Sequence, residues 1–175
     1  MLLDPRALVL FAANALLLHL SLMVNSALSG WALYLLLAGP MVVLPALYLR
    51  HRAYFVTTLL SGLWVDAALP ANFGSFTLSF LLAGAVISHL RIRFRAEHNY
   101  HPVLLAHGVN AFLLLMLTLT EAHGQYHSAA FWQHVGLTLL LSHLLLLLVA
   151  PWFFDLQRAL LELCGLDSEP DDFPA

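Results

Sequence analysis

The chain has 175 residues, of which 61% are hydrophobic and only 10% charged, where an ordinary soluble domain carries about 25% charged residues. A soluble fold cannot cover that much apolar side chain, and seven arginines with no lysine leave a nucleic-acid footprint almost nothing to stand on. The single cysteine, Cys164, excludes an internal disulfide framework and reads as a bland interfacial residue.

In chain order, Arg6 precedes an apolar run over 7–24 that is longer than the ~7–15 residues of a signal-peptide core, so it reads as a retained first span. A hydrocarbon core needs about 20 mostly apolar helical residues per crossing. Such runs are expected at 7–25, 31–49, 54–70, 76–90, 103–121 and 135–154. The third and fourth are short and rich in small or polar residues, which leaves a merged or re-entrant arrangement as the alternative. Charge favours six. With a cytoplasmic N-terminus, Arg6, Arg50, Arg52, Arg91, Arg93, Arg95 and Arg158 all fall inside and no external loop holds an arginine. The expected fold is therefore all-α: a bundle of six transmembrane helices with both ends in the cytoplasm of a bacterial inner membrane. One domain is expected over 1–165.

External segments are then two short turns, 25–30 and 71–75, and a longer loop over 122–134, too little for a catalytic module. The segment 152–163 sets Phe153, Leu156, Leu160 and Leu163 against Asp155, Gln157, Arg158 and Glu162. That spacing suits a helix lying at the interface; the other reading is fraying of the last span past Pro151. The tail 166–175 holds Asp167, Glu169, Asp171 and Asp172 among prolines and is expected to be disordered and solvated.

Polar residues inside spans ask for a reason, because an acid at the centre of a membrane helix costs about 2.5–3.5 kcal/mol. Asp66 is expected to be a buried polar anchor between helices rather than an acid reaching the interface. Asn14, His19, Asn110 and His143 read as interhelical hydrogen-bonding groups. Ser61, Gly62, Ser79, Ala83, Gly84 and Ser88 read as packing surface. Ten histidines raise the question of metal: His123 and His127 have i, i+4 spacing, with Glu121 and His134 nearby. No cysteine partner and no fixed third ligand accompany them, so neither a metal nor any other cofactor is expected. A haem would need facing histidines, and His19 with His143 is the candidate pair. No nucleophile elbow, His-Glu-x-x-His stretch, P-loop or dinucleotide fingerprint occurs, so the chain is not expected to be an enzyme.

The segment Gly62-Leu-Trp-Val-Asp66-Ala-Ala-Leu-Pro-Ala-Asn-Phe-Gly74 resembles the central signature of the rod shape-determining MreD family, with a glycine four residues before an aspartate and another eight after it. Pro40 and the apolar run to Tyr48, followed by Arg50-His51-Arg52, are similar to that family's proline-led span and basic turn. Residues 76–90 leading into Arg91, Arg93 and Arg95 resemble its next span and basic loop, and Ala150-Pro151-Trp152-Phe153-Phe154 its final-span proline motif. Ala67-Ala68, Pro70 and the histidine-rich fifth loop depart from the pattern. The resemblance implies a non-enzymatic scaffold of the wall-elongation machinery, acting beside MreC, the actin-like MreB, a RodA-type glycosyltransferase and a class B transpeptidase. It also implies a bundle like the substrate-binding subunits of energy-coupling-factor transporters. Asp66 and Gly74 would shape the external turn, and Arg91, Arg93 and Arg95 would meet anionic lipid or a cytoplasmic partner. Two other classes stay open: a small-molecule binding or uptake subunit with an external pocket, and a metal protein using His123, His127 and His134.

Overall fold

Pro5 opens the first helix at a position where its missing N–H costs nothing, and the Asp4 carboxylate accepts the Arg6 N–H at 3.0 Å as an N-terminal cap. Five more helices follow, giving α1 (Pro5–Leu28), α2 (Gly39–Tyr48), α3 (His51–Ala68), α4 (Ser75–Ala96), α5 (Pro102–Glu121) and α6 (Ala129–Leu163). The computed structural model describes residues 4–31, 33–96, 102–122 and 124–166, without the side chains of 92–96 and 121. Among the described residues there is no strand. Three helical segments, Pro5–Trp31, Pro102–Thr120 and Ala129–Leu163, are long and apolar enough to cross a membrane.

The helices form a ring around one of their own number. α1 packs on α3, α3 on α4, α4 on α5, α5 on α6 and α6 back on α1, while α2 touches all five. Every residue from Gly39 to Leu47 is accordingly buried, with Val42, Val43 and Ala46 fully so. Hydrogen bonds fix the register. Ala7 meets Thr57 and Asn14 meets Ser61, so α1 and α3 run parallel; Gln157 meets Asn14 while Ser142 and Asn25 hold the adjacent residues Leu36 and Leu35, so α6 runs against α1. Arg91 reaches Leu49 and Arg158 reaches Tyr48, which gathers both arginines at the end of the bundle where α2 stops.

The expected continuous helix over 31–49 is a correction. Residues 33–38 are not helical, and α2 starts only at Gly39. Proline fits the first turn of a helix, where its missing N–H costs nothing, so Pro40 suits a helix start in the middle of an apolar run. Pro45 lies inside α2. The third and fourth spans are not merged: α3 and α4 are separate antiparallel helices joined by the turn 69–74.

At the far end, α6 runs unbroken through Pro151 for 35 residues, so the fraying reading is corrected. The interface-lying face is corrected as well. Leu146, Ala150, Phe153, Phe154, Gln157 and Leu161 recur at helical spacing and are the buried stripe, whereas Leu163 is 83% exposed. Gln157, expected on the polar side, is fully buried. The tail reading falls on 167–175, outside the described residues.

Candidate functional site

Gly62, Asp66 and Gly74 meet at one joint. One turn apart on α3, Gly62 and Asp66 share a face turned to the start of α4. A Cβ on Gly62 would lie 2.6 Å from Thr77 Cα, so only glycine lets the two backbones approach this closely. Asp66, 4% exposed, accepts the Phe76 N–H at 2.9 Å and the Thr77 N–H at 3.0 Å, and also the Thr77 hydroxyl. It thus caps α4 from a neighbouring helix, supplying negative charge where the helix dipole is positive. Gly74, with φ of +95°, provides the left-handed residue that turns the chain into α4. Replacing Gly74 with Ala is expected to cost about 1–2 kcal/mol of stability, read as a lowered thermal midpoint of the purified protein in detergent; Asn should cost less, and an unchanged midpoint for Ala would refute the turn's role.

Polar side chains from three helices serve α2 and the broken segment ahead of it. Asn25 of α1 accepts the Leu35 N–H at 2.7 Å and donates to the Leu35 carbonyl at 2.9 Å. Ser142 of α6 accepts the Leu36 N–H at 3.0 Å. Asn110 of α5, fully buried, donates to the Leu36 carbonyl at 2.9 Å and accepts the Gly39 N–H at 3.1 Å. Asn14 donates to the Met41 carbonyl at 3.0 Å and to the Ser61 hydroxyl of α3 at 2.8 Å, and takes a bond from Gln157 at 3.0 Å. Non-helical backbone in a buried core needs its polar groups satisfied, and Asn25, Ser142 and Asn110 do so here. Asn14 and Asn110 thus make the interhelical bonds expected of them. Asn25, Ser142 and Gln157 take the same part without an expectation for it: Asn25 sits at the edge of an expected turn, and Gln157 in an expected polar face.

The arginine rim divides. Arg50 and Arg52 are exposed at the start of α3. Arg91 does not belong to an outward rim: it is 4% exposed and donates to the Leu49 carbonyl at 2.8 Å, placing a cation at the C-terminal end of α2, where the dipole is negative. Arg158 donates to the Tyr48 hydroxyl at 3.0 Å and lies 5.7 Å from that ring's centroid. The side chains of Arg93 and Arg95 lie outside the described part. Pro40 is in the first turn of α2 and Pro151 is exposed on α6.

His127 and His134 are exposed, His123 lies outside the described residues, and among the described residues no three metal-binding side chains cluster. His19 and His143 do not face each other. The His19 ring lies 6.2 Å from that of Trp64, and His143 stacks on His107 at 5.2 Å. The histidine pair is thus His107 with His143, which no spacing rule selects because the two come from different helices.

The C-terminal half of α5 borders two clefts. One, between α4 and α5, is lined by Ser75, Phe76, Met116 and Thr120 among others. The second lies between α5, α6 and Tyr34 and includes His134 and Thr138. No family model matches the chain, and neither does any curated protein or solved structure, so these residues are read from their own geometry.

Proposed function

We propose that this chain is a non-enzymatic integral-membrane scaffold of the bacterial wall-elongation machinery, of the MreD kind, that holds MreC and through it the wall-synthesis proteins. The observation that carries the reading is the joint at Gly62, Asp66 and Gly74. The three residues that define the resemblance serve one structural purpose here: close approach, cap and turn of the same helix start. Their chemistry is consumed in building the bundle, as is that of Asn14, Asn25, Asn110 and Ser142. What remains to offer a partner is outward helix surface, including Phe55 and Trp64 on α3 and Leu78, Leu82 and Val86 on α4.

Length supports six crossings with both ends in the cytoplasm of an inner membrane. Residues 33–38 can span at most about 20 Å at ~3.3 Å each, and the ten residues of α2 span about 15 Å at 1.5 Å each. Together they can reach across a ~30 Å core, although α2 alone does not. The 35 residues of α6 give about 52 Å, so its final turns project beyond the core on the arginine side. By charge, that side is the cytoplasm. The likeness to energy-coupling-factor substrate-binding subunits belongs to the same proposal.

The test is affinity isolation of the tagged chain from its native membrane in mild detergent, with protein identification and elemental analysis of the eluate. MreC is expected in the eluate without stoichiometric metal, and Asp66→Ala is expected to recover less MreC per folded chain. Isolation of the chain alone, or with stoichiometric zinc or iron, would overturn the scaffold reading.

A further inference from the structure

Within the bundle, α5 and α6 bring two histidines ring to ring. His107 and His143 stack with centroids 5.2 Å apart and planes 18° from parallel. Along α6, His143 is fifteen residues from Arg158, about 22 Å of helix, so the pair lies well away from the arginine end. Ionisable groups so placed pair with one another or with backbone carbonyls and mark proton or ion sites.

The two rings differ in what surrounds their nitrogens. His143 Nδ1 lies 2.9 Å from the Leu139 carbonyl oxygen, and its Nε2 lies 3.2 Å from that of His107. A neutral imidazole has one N–H and one lone pair, so it donates to one of these oxygens and turns a lone pair on the other. The imidazolium donates to both. The bond one turn back is ordinary for a helical histidine, and His19 makes it to Ala15 at 2.7 Å; the second bond, to another helix, sets His143 apart. Both ring nitrogens of His107 are buried without a hydrogen-bond partner. A second proton there would strand two N–H groups, so this ring suits the neutral form. Two cations in ring contact would also repel each other, so the pair takes one proton rather than two.

Among the described residues, the other titratable groups on the packed elements stand elsewhere. On α1, Asp4 pairs with Arg6 and His19 lies on Trp64. On α2, Tyr48 meets Arg158; ahead of it, Tyr34 lines the cleft with Thr138 and His134. On α4, His89 is exposed and Arg91 bonds Leu49. Tyr126, His127 and His134 precede His143 by nine residues or more, and Asp155, Arg158 and Glu162 follow it by twelve or more, at least about 13 Å of chain. Glu121, whose side chain lies outside the described part, is fourteen residues from His107 on α5, about 21 Å. The group acting electrostatically on His107 is His143.

We propose that His107 and His143 form a single-proton site, a latch that ties α6 to α5 while His143 carries the proton. The latch bears on α2. His107 follows Ala106, whose carbonyl oxygen faces Gly39, and stands one turn before Asn110, which holds Leu36 and Gly39. The tie is present at low pH and is lost as pH rises, because deprotonation leaves His143 a lone pair facing a carbonyl oxygen. The site does not depend on the scaffold reading, and recovery or loss of MreC has no bearing on it.

The full chain, with nitrogen-15 in its histidine rings, is placed in phosphatidylcholine nanodiscs and titrated from about pH 8 to about pH 5, where histidine ordinarily takes its proton. Nitrogen NMR difference spectra against His143→Phe and His107→Phe separate these two rings from the other eight. His143 is expected to pass to the form with both nitrogens protonated, while His107 keeps one bare nitrogen throughout. Over the same range the wild-type thermal midpoint is expected to gain about 5 °C relative to His143→Phe, the worth of one charge-assisted hydrogen bond. His107→Phe keeps a ring in place and has no nitrogen bond to lose, so its midpoint should rise with falling pH as much as the wild type's. His143→Gln, which donates without titrating, serves in both measurements if His143→Phe does not fold. Protonation of His107 first, protonation of both rings together, a neutral His143 at about pH 5, a midpoint gap to the His143 variant that is the same at both pH values, or loss of the rise in His107→Phe would each overturn the proposal.

Discussion

Replacing Asp66 with Ala is expected to lower the stability of the purified protein by about 3 kcal/mol, one of the two largest effects for a single substitution in this chain. The carboxylate accepts from Phe76 N–H, Thr77 N–H and the Thr77 hydroxyl. Alanine leaves those donors without it at the start of α4, where Phe76 and Thr77 are buried. A lost N-cap costs about 0.5–2 kcal/mol and a buried unsatisfied group about 1–3 kcal/mol. Asp66→Asn keeps the shape and one good acceptor and so should lose about half as much. Asp66→Glu should do worse than Asn, because Gly62 brings α4 too close for a longer side chain. The measurement is reversible unfolding in mixed micelles, comparing wild type, Asp66→Asn and Asp66→Ala. A stability order of wild type, then Asn, then Ala supports the cap. Equal stability of all three would mean that Asp66 holds nothing, and the joint that supports the scaffold reading would lose its central member.

What the sequence makes legible differs from residue to residue. The spacing of Gly62, Asp66 and Gly74 can be read directly, because a rare polar residue in a membrane span is conspicuous against its surroundings. What Asp66 bonds cannot be read, since its partners are mostly backbone groups that carry no side-chain signal. The break before α2 is marked in principle: Gly39-Pro40 and Pro45 punctuate the run. The mark is masked because 31–49 has the length and hydropathy of an ordinary span. The central place of α2 leaves no mark at all, because lipid and protein interior are equally apolar to a leucine; Val42 in the core and Leu82 on the outer surface belong to the same hydropathy class. Gln157 reads as polar surface because Asp155 and Arg158 flank it, though its spacing from Phe153 and Leu161 matches the buried stripe. Arg91 groups with Arg93 and Arg95 by sequence adjacency, while helical rotation turns it inward to Leu49.

The second large effect is expected at the seat of α2, and two substitutions probe it by different means. Gly39→Ala would place a Cβ 2.2 Å from the Ala106 carbonyl oxygen and 3.0 Å from Asn110 Cβ. The first obstacle is backbone, so no side-chain rotation relieves it, and Ala106→Gly would not rescue it either. α2 would have to move away from α5, drawing with it the carbonyl of Leu36 and the N–H of Gly39 that Asn110 satisfies. Asn110→Leu removes the satisfaction without the clash, stranding those two backbone groups where each costs about 1–3 kcal/mol. Both variants are expected to lose most monodisperse protein on size-exclusion chromatography in mild detergent. Gly108→Ala, also on α5, meets nothing within 4 Å and should be neutral or gain up to about 1 kcal/mol from helix propensity. If Gly39→Ala behaved like Gly108→Ala, α2 would not be clamped against α5. The non-helical segment before it would then have to be held by Asn25 and Ser142 alone, and the ring would lack the contact that fixes its centre.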